Sequence, residues 1–220
     1  MSAELLHRQV MRYEDRRLTN LSENLLHTST QSLAFVKEYL ANAASDQGFV
    51  PKLDATSLTD AAGRVVWRYQ EAAHRKQLQI ETDFAENDST VMADFSALDQ
   101  VLDNLLSNAL KFSPPGKRIF VSVRPEDGWI ECVVQDEGPG FTEADKALMF
   151  RRYGRLSARP TAGEPSTGLG LSIVRKLVQL MNGELTCESS EGRGTTFSFR
   201  LPRPAKKYNE KGQCYGLLSG

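Results

Sequence analysis

Four short stretches of this chain combine residue types that handle metals, phosphates and purines. In the first, within 104–112 (NLLSNALKF), Asn104, Asn108 and Lys111 fall at i, i+4 and i+7. A helix there carries two amides and an ammonium on one face beside a leucine-rich one. An amide oxygen is a hard ligand suited to Mg²⁺, and a lysine beside it can meet phosphate oxygens. In the second, Asp136-Glu137-Gly138-Pro139-Gly140 follows an apolar alternating run. A carboxylate leaving a strand can accept a hydrogen bond from the exocyclic amine of adenine, and the two glycines let the backbone pass close to the base. In the third, Gly168-Leu169-Gly170 opens a periodic apolar stretch. Amides at a helix N-terminus, with the positive end of the macrodipole, form a phosphate site. The fourth, Gly192-Arg193-Gly194-Thr195-Thr196, enters a last alternating run, where the Thr195 hydroxyl could support a base through a water. Taken singly, each has a plainer reading: a solvated helix face, a turn, a loop–helix junction, a hairpin.

The elements that must position these residues follow from apolar spacing. Ser57, with Asp60 three residues on, caps a helix running through Val65, Val66 and Tyr69 to about Lys76. Strands are expected over 78–82 and 91–93, then a helix capped by Ser96 that carries Leu98, Val101, Leu102, Leu105, Leu106 and Ala109 and is halted by Pro114-Pro115-Gly116. A hairpin of 118–124 and 129–136 turns at Pro125-Glu126-Asp127-Gly128. A helix over 142–150, a loop over 151–167 rich in Arg, Pro and Ser, and a helix over 170–181 ended by Asn182-Gly183 come next. Strands over 184–188 and 195–201 complete the pattern, and 203–220 has no periodicity. The expected fold class is α+β, a two-layer sandwich of a mixed, mainly antiparallel sheet on helices.

Ahead of this lies a stretch without Gly or Pro from Ser2 to Gln47, with Leu18, Leu21, Leu25, Leu33, Val36, Leu40 and Ala43 at helical spacings. Its narrow apolar stripe calls for a partner, and a homodimer through paired helices is expected; packing against its own domain is the alternative. The expected organisation is therefore a helical segment over 1–50, a site-bearing domain over 51–204 and a tail over 205–220.

Composition narrows the function further. Of 220 residues, 27 are Lys or Arg and 28 Asp or Glu, a net charge of −1, which speaks against nucleic acid as a partner. The three cysteines and three histidines are scattered without metal-type spacing and fit a reducing, cytoplasmic setting. No apolar run approaches the roughly 18 residues of a membrane span, so any membrane-embedded sensor is expected outside this chain.

Read together, the four stretches resemble the catalytic ATP-binding domain of bacterial sensor histidine kinases. The N box is matched by Asn104–Phe112, the G1 box by Asp136–Gly140, the F box around Phe150, the G2 box by Gly168–Gly170 and the G3 box by Gly192–Gly194. Order and spacing agree over about residues 52–202. The resemblance implies a Bergerat fold binding ATP and Mg²⁺, with Asn108 as metal ligand and Asn104 and Lys111 near the phosphates. It also implies Asp136 reading adenine, Gly138 and Gly140 lining the base pocket, and Gly168, Leu169 and Gly170 at phosphate. Residues 151–167 become a lid in which Arg152 or Arg155 balances charge on the transferring group. A response regulator receiver domain is the implied partner.

Related ATPases such as gyrase and MutL place a glutamate four residues before the magnesium asparagine, to activate water. Here that position is Asn104. An amide takes no proton at neutral pH, so transfer to an outside nucleophile is favoured over hydrolysis. The family's acceptor pattern of His, an acidic residue and then Thr-Pro is met by none of His7, His27 and His74. The acceptor is accordingly expected outside this chain, His7 being the nearest candidate within it. The alternatives on the same fold are a nucleotide-binding pseudokinase and a serine kinase of the anti-sigma type.

Overall fold

The computed structural model describes residues 50–85, 88–151, 154, 156–161, 164 and 168–204, with the backbone of 207–208 and 214–215. The expected N-terminal helical segment, His7, His27, Arg152 and Arg155 lie outside the described residues.

In chain order the elements are β1 Asp54–Ser57, α1 Leu58–Arg75, β2 Gln79–Phe84, β3 Thr90–Ala93, α2 Phe95–Phe112, β4 Arg118–Glu126, β5 Trp129–Asp136 and α3 Glu143–Leu148. They continue with α4 Gly170–Leu180, β6 Glu184–Ser189, β7 Thr195–Pro202 and the two-residue strands β8 Lys207–Tyr208 and β9 Cys214–Tyr215. A five-stranded sheet runs in the order β2-β4-β5-β7-β6. Its β2–β4 pair is parallel and the rest antiparallel, as expected of a mixed, mainly antiparallel sheet. Two departures concern strands. β1 pairs with β3 in a small separate sheet, and the tail, expected to be irregular, pairs β8 with β9.

The helices α1, α2 and α4 cover one face of the large sheet. α2 buries Leu98, Val101, Leu102, Leu105, Leu106 and Ala109 at the spacing that predicted it. Below them lie Ile119, Val121, Val123, Ile130, Cys132, Val134, Phe197 and Phe199 from alternate strand positions. Each fully buried leucine contributes roughly 2 kcal/mol relative to an exposed one, so the face of α2 opposite the amides fixes how the helix is rolled. The other sheet face is solvated. Arg118 pairs with Glu137 at 3.1 Å and lies over Phe120, while Arg200 pairs with Glu184 at 2.8 Å and lies over Trp129.

Helix ends follow cap chemistry. Ser57 accepts from the Asp60 amide at 3.2 Å, as expected. α2 starts two residues earlier than predicted, because Asp94 rather than Ser96 is its cap. One Asp94 oxygen takes the Ala97 amide (2.9 Å) and the other the Lys52 amide (3.0 Å), which a serine hydroxyl could not do together. α4 ends with Asn182 in the left-handed region (φ 57°) and the Gly183 amide bonded back to Val178 O at 2.9 Å. Among the described residues no helix is long and apolar enough to cross a membrane.

Candidate functional site

One half-buried edge of α2 carries Asn104, Asn108 and Lys111, held outward by the buried leucines behind them. The Asn104 side-chain amide donates to Gln100 O at 2.8 Å, within its own helix, which leaves Oδ1 as its outward-facing atom. That oxygen meets Gly170, the first residue of α4. A methyl group at Gly170 would stand 2.8 Å from Asn104 Oδ1 and 3.9 Å from Asn108 Nδ2. The first and third motifs, more than sixty residues apart in sequence, thus share one wall.

α4 begins without a side-chain cap at Leu169. The Leu169 side chain is buried and its carbonyl accepts from the Ser172 hydroxyl (2.7 Å) and the Ile173 amide (3.0 Å). Leu169 therefore contributes its backbone, not its side chain, to this corner. Gly168 before it is left-handed, at φ 71°. A helix N-terminus beside two amides suits an anion together with a hard cation.

The second and fourth motifs meet at the end of β5. Asp136 Oδ1 accepts from the Gly138 amide (2.8 Å) and the Thr195 amide (3.3 Å). Gly138 is wedged between this carboxylate and α2, since a methyl there would lie 2.7 Å from Asp136 Oδ1 and 3.3 Å from Phe112 O. Gly194 passes so close to the Asp136 carbonyl that a methyl would lie 2.0 Å away, at φ 85°. Gly140 is equally confined, against Ser190 O, and the Gly192 amide donates to Pro139 O at 2.7 Å.

Burial pushes the Asp136 carboxyl up to about 6, against the two amide hydrogen bonds that favour its charged form. Thr195 is brought to Asp136 through its backbone. Its hydroxyl lies 3.0 Å from that of Ser189, which also accepts from the Phe141 amide at 2.8 Å. Burial and the Asp136 charge push the neighbouring Cys187 thiol up to about 12, so it is a poor nucleophile at neutral pH.

Of the sequence-predicted residues, then, Asn104, Asn108 and Gly170 share one wall, and Asp136, Gly138, Gly140 and Thr195 share the other. Phe112, at the end of α2, joins the two. Lys111 is half-buried in the same last turn of α2. Arg152 and Arg155 lie outside the described residues.

Three contributors escaped sequence reasoning. Ser189 is one. Asp145 is another: it is buried, completes a capping box with Thr142 and also accepts from the Ser157 amide at 2.8 Å and the Ser157 hydroxyl at 2.5 Å. Its local signal, Thr142-x-x-Asp145, was present in the sequence. The third is Lys76, whose contacts with Leu110 O and Glu164 are non-local and carry no sequence signature.

Residues 93–205, more than half of the 220, match the family described as histidine kinase-, DNA gyrase B-, and HSP90-like ATPases. The chain is 34% identical over 153 residues to the sensor-like histidine kinase SenX3 of Mycolicibacterium smegmatis, covering 70% of this chain and 40% of that protein. It is 38% identical over 149 residues to the histidine protein kinase DivJ of Caulobacter vibrioides, covering 68% of this chain and 24% of that one. It thus spans less than half the length of these curated relatives. The solved structure of the mycobacterial sensor histidine kinase MprB matches with a TM-score of 0.59 at 31% identity, over 69% of this chain and 99% of that one. In sequence and in fold, the chain belongs to the sensor histidine kinases, carrying their catalytic ATP-binding domain within the histidine kinase-, DNA gyrase B- and HSP90-like ATPase family.

Proposed function

We propose that the chain is the catalytic part of a two-component sensor histidine kinase, transferring the γ-phosphoryl group of ATP to a histidine for relay to a response regulator aspartate. One observation carries this reading: Gly170 lies against the Asn104 and Asn108 amides, Gly138 is wedged between Asp136 and Phe112, and Gly194 packs on the Asp136 carbonyl, so each of the four motifs touches another.

In this reading Asp136 accepts from the exocyclic amine of adenine, with Gly138, Gly140 and Thr195 shaping that end. Gly168, Leu169 and Gly170 offer backbone amides to the phosphates. Asn108 is a ligand for Mg²⁺, with Asn104 and Lys111 beside it; the amide oxygens and the Gly170 cradle suit a hard cation and an anion held together. The metal, when bound, neutralises charge on the phosphate oxygens. Arg152 or Arg155 of the 151–167 stretch complements that charge.

The chain's own contribution is positioning and the denial of water as nucleophile. Asn104 cannot accept a proton, and its nitrogen is already committed to Gln100 O. The productive reaction forms a bond from an imidazole nitrogen to the γ-phosphorus while the bond from that phosphorus to the ADP oxygen breaks.

His74 is exposed in the last turn of α1 and is followed by Arg75 and Lys76, without the acidic neighbour that would act as base. The acceptor is assigned to a segment beyond this chain, and dimerisation to residues 1–50, with 51–204 as the ATP-binding domain and 205–220 as a tail. The working location is the cytoplasm.

The test is phosphorylation from labelled ATP in a longer chain that includes the acceptor helix. Acid-labile, base-stable phosphate supports the reading, and acid-stable phosphate replaces it with a serine kinase.

A further inference from the structure

The last turn of α2, which carries Lys111, is gripped from outside the four motifs. A helix C-terminus leaves carbonyls without intrahelical donors. Here Lys76, the residue that ends α1, donates its ammonium to Leu110 O at 2.6 Å and lies 3.5 Å from Lys111 O. The same ammonium pairs with Glu164 at 2.7 Å, a residue 88 positions away, and both side chains are largely buried (17% and 24% exposed). Three residues before Glu164, Thr161 donates its amide to Lys111 O at 2.9 Å and shares its hydroxyl between Lys111 O and Ser113 O (3.1 and 3.2 Å). The three protons of one ammonium thus face acceptors from two elements, and a cation at a helix C-terminus complements its dipole.

We propose that Lys76 and Glu164 are positioning residues for the phosphate end of the site. They fasten Thr161 and Glu164 to the turn of α2 that bears Lys111, so that this phosphate-facing turn is held in one placement. Neither residue touches the nucleotide, and the inference rests on the nucleotide-site reading above. A largely buried ion pair is screened less by salt than a surface pair, so the latch holds at physiological ionic strength.

The test measures Mg·ATP and adenosine affinity in the full chain carrying Glu164→Gln, Lys76→Met or both, with hydrogen exchange of the Thr161 amide as an independent readout of the latch. Glu164→Gln lies outside the helices and strands and keeps side-chain shape, so thermal stability stays near that of the unaltered chain. The expected result is Mg·ATP affinity lowered about fivefold or more, adenosine affinity unchanged, Thr161 exchange accelerated, and a double variant no weaker than Lys76→Met alone, since coupled residues are non-additive. Accelerated Thr161 exchange with unchanged Mg·ATP affinity would overturn the proposal, leaving a structural tether. Parallel loss of adenosine binding, or strictly additive losses, would also overturn it. Asp136→Asn serves as the control on the site itself: unchanged nucleotide affinity there removes the nucleotide reading and the latch's role with it, while Thr161 exchange still reports the contact.

Discussion

The first residue of α4, Gly170, lies so close to Asn104 on α2 that a single methyl group would stand 2.8 Å from the Asn104 side-chain oxygen. Alanine is otherwise well suited to the first turn of a helix. Gly170→Ala should therefore leave the melting temperature within a few degrees while pushing the Asn104 amide aside and filling the space proposed for phosphate. Mg·ATP affinity is expected to fall by about tenfold or more, read by calorimetric titration beside a thermal melt.

Asp136 supplies a pH signature. Its carboxyl, raised by burial to about 6, is protonated more readily in the folded chain than in the unfolded one. The folded state therefore binds more protons, and this group's contribution to stability falls as pH rises from about 4 through 6. Without nucleotide, Asp136→Asn should melt higher than the unaltered chain at pH 8, by the equivalent of about 1–3 kcal/mol, with the gap closing toward pH 4. Nucleotide binding runs the other way. It should weaken below pH 6 in the unaltered chain, as the carboxylate proposed to accept from adenine is lost, and be weak at every pH in the variant.

Asp145 has the opposite sign. Burial works against its charge, but donors from Ser157 and Thr142 outweigh burial and hold the carboxyl down to about 2. Its stabilisation is present above the ordinary carboxylate range and is lost as pH falls from about 4 to 2. Asp145→Asn should cost about 1–2 kcal/mol at pH 7 and little at pH 2, checked by urea unfolding at both values.

Much of this was legible because it is local. The leucine spacing of α2, the Pro114-Pro115-Gly116 stop and the Asn182-Gly183 end are written within a few residues of where they act. The glycine motifs were legible because each sits at a strand or helix boundary that periodicity marks. Pairing across the chain was not. β1 is Asp-Ala-Thr-Ser, with no alternating apolar pattern, and exists because β3 lies alongside. Asp94 outcompeted Ser96 as a cap through Lys52, which is 42 residues away in sequence. Ser189 likewise reaches Phe141 and Glu164 reaches Lys76, partners 48 and 88 residues away.

Gly194 and Gly128 separate backbone strain from collision. Both are left-handed, at φ 85° and 74°, but a methyl at Gly194 meets the Asp136 carbonyl at 2.0 Å and one at Gly128 meets nothing within 4 Å. Gly128→Ala should cost about 1 kcal/mol, the conformational cost alone. Gly194→Ala should cost about 3 kcal/mol or more, because backbone must move away from backbone. Paired urea titrations measure the difference.

A single nucleotide is expected to touch all four motifs at once. The most direct measurement is an NMR titration of the full chain with Mg²⁺ and a non-hydrolysable ATP analogue, following the backbone amides of Gly138, Gly170 and Thr195 and the side-chain amides of Asn104 and Asn108. All five should shift along one isotherm with a single dissociation constant, and lose that response together in Asp136→Asn. Shifts confined to one motif, or isotherms that differ between the Asn104–Gly170 wall and the Asp136–Thr195 wall, would contradict it.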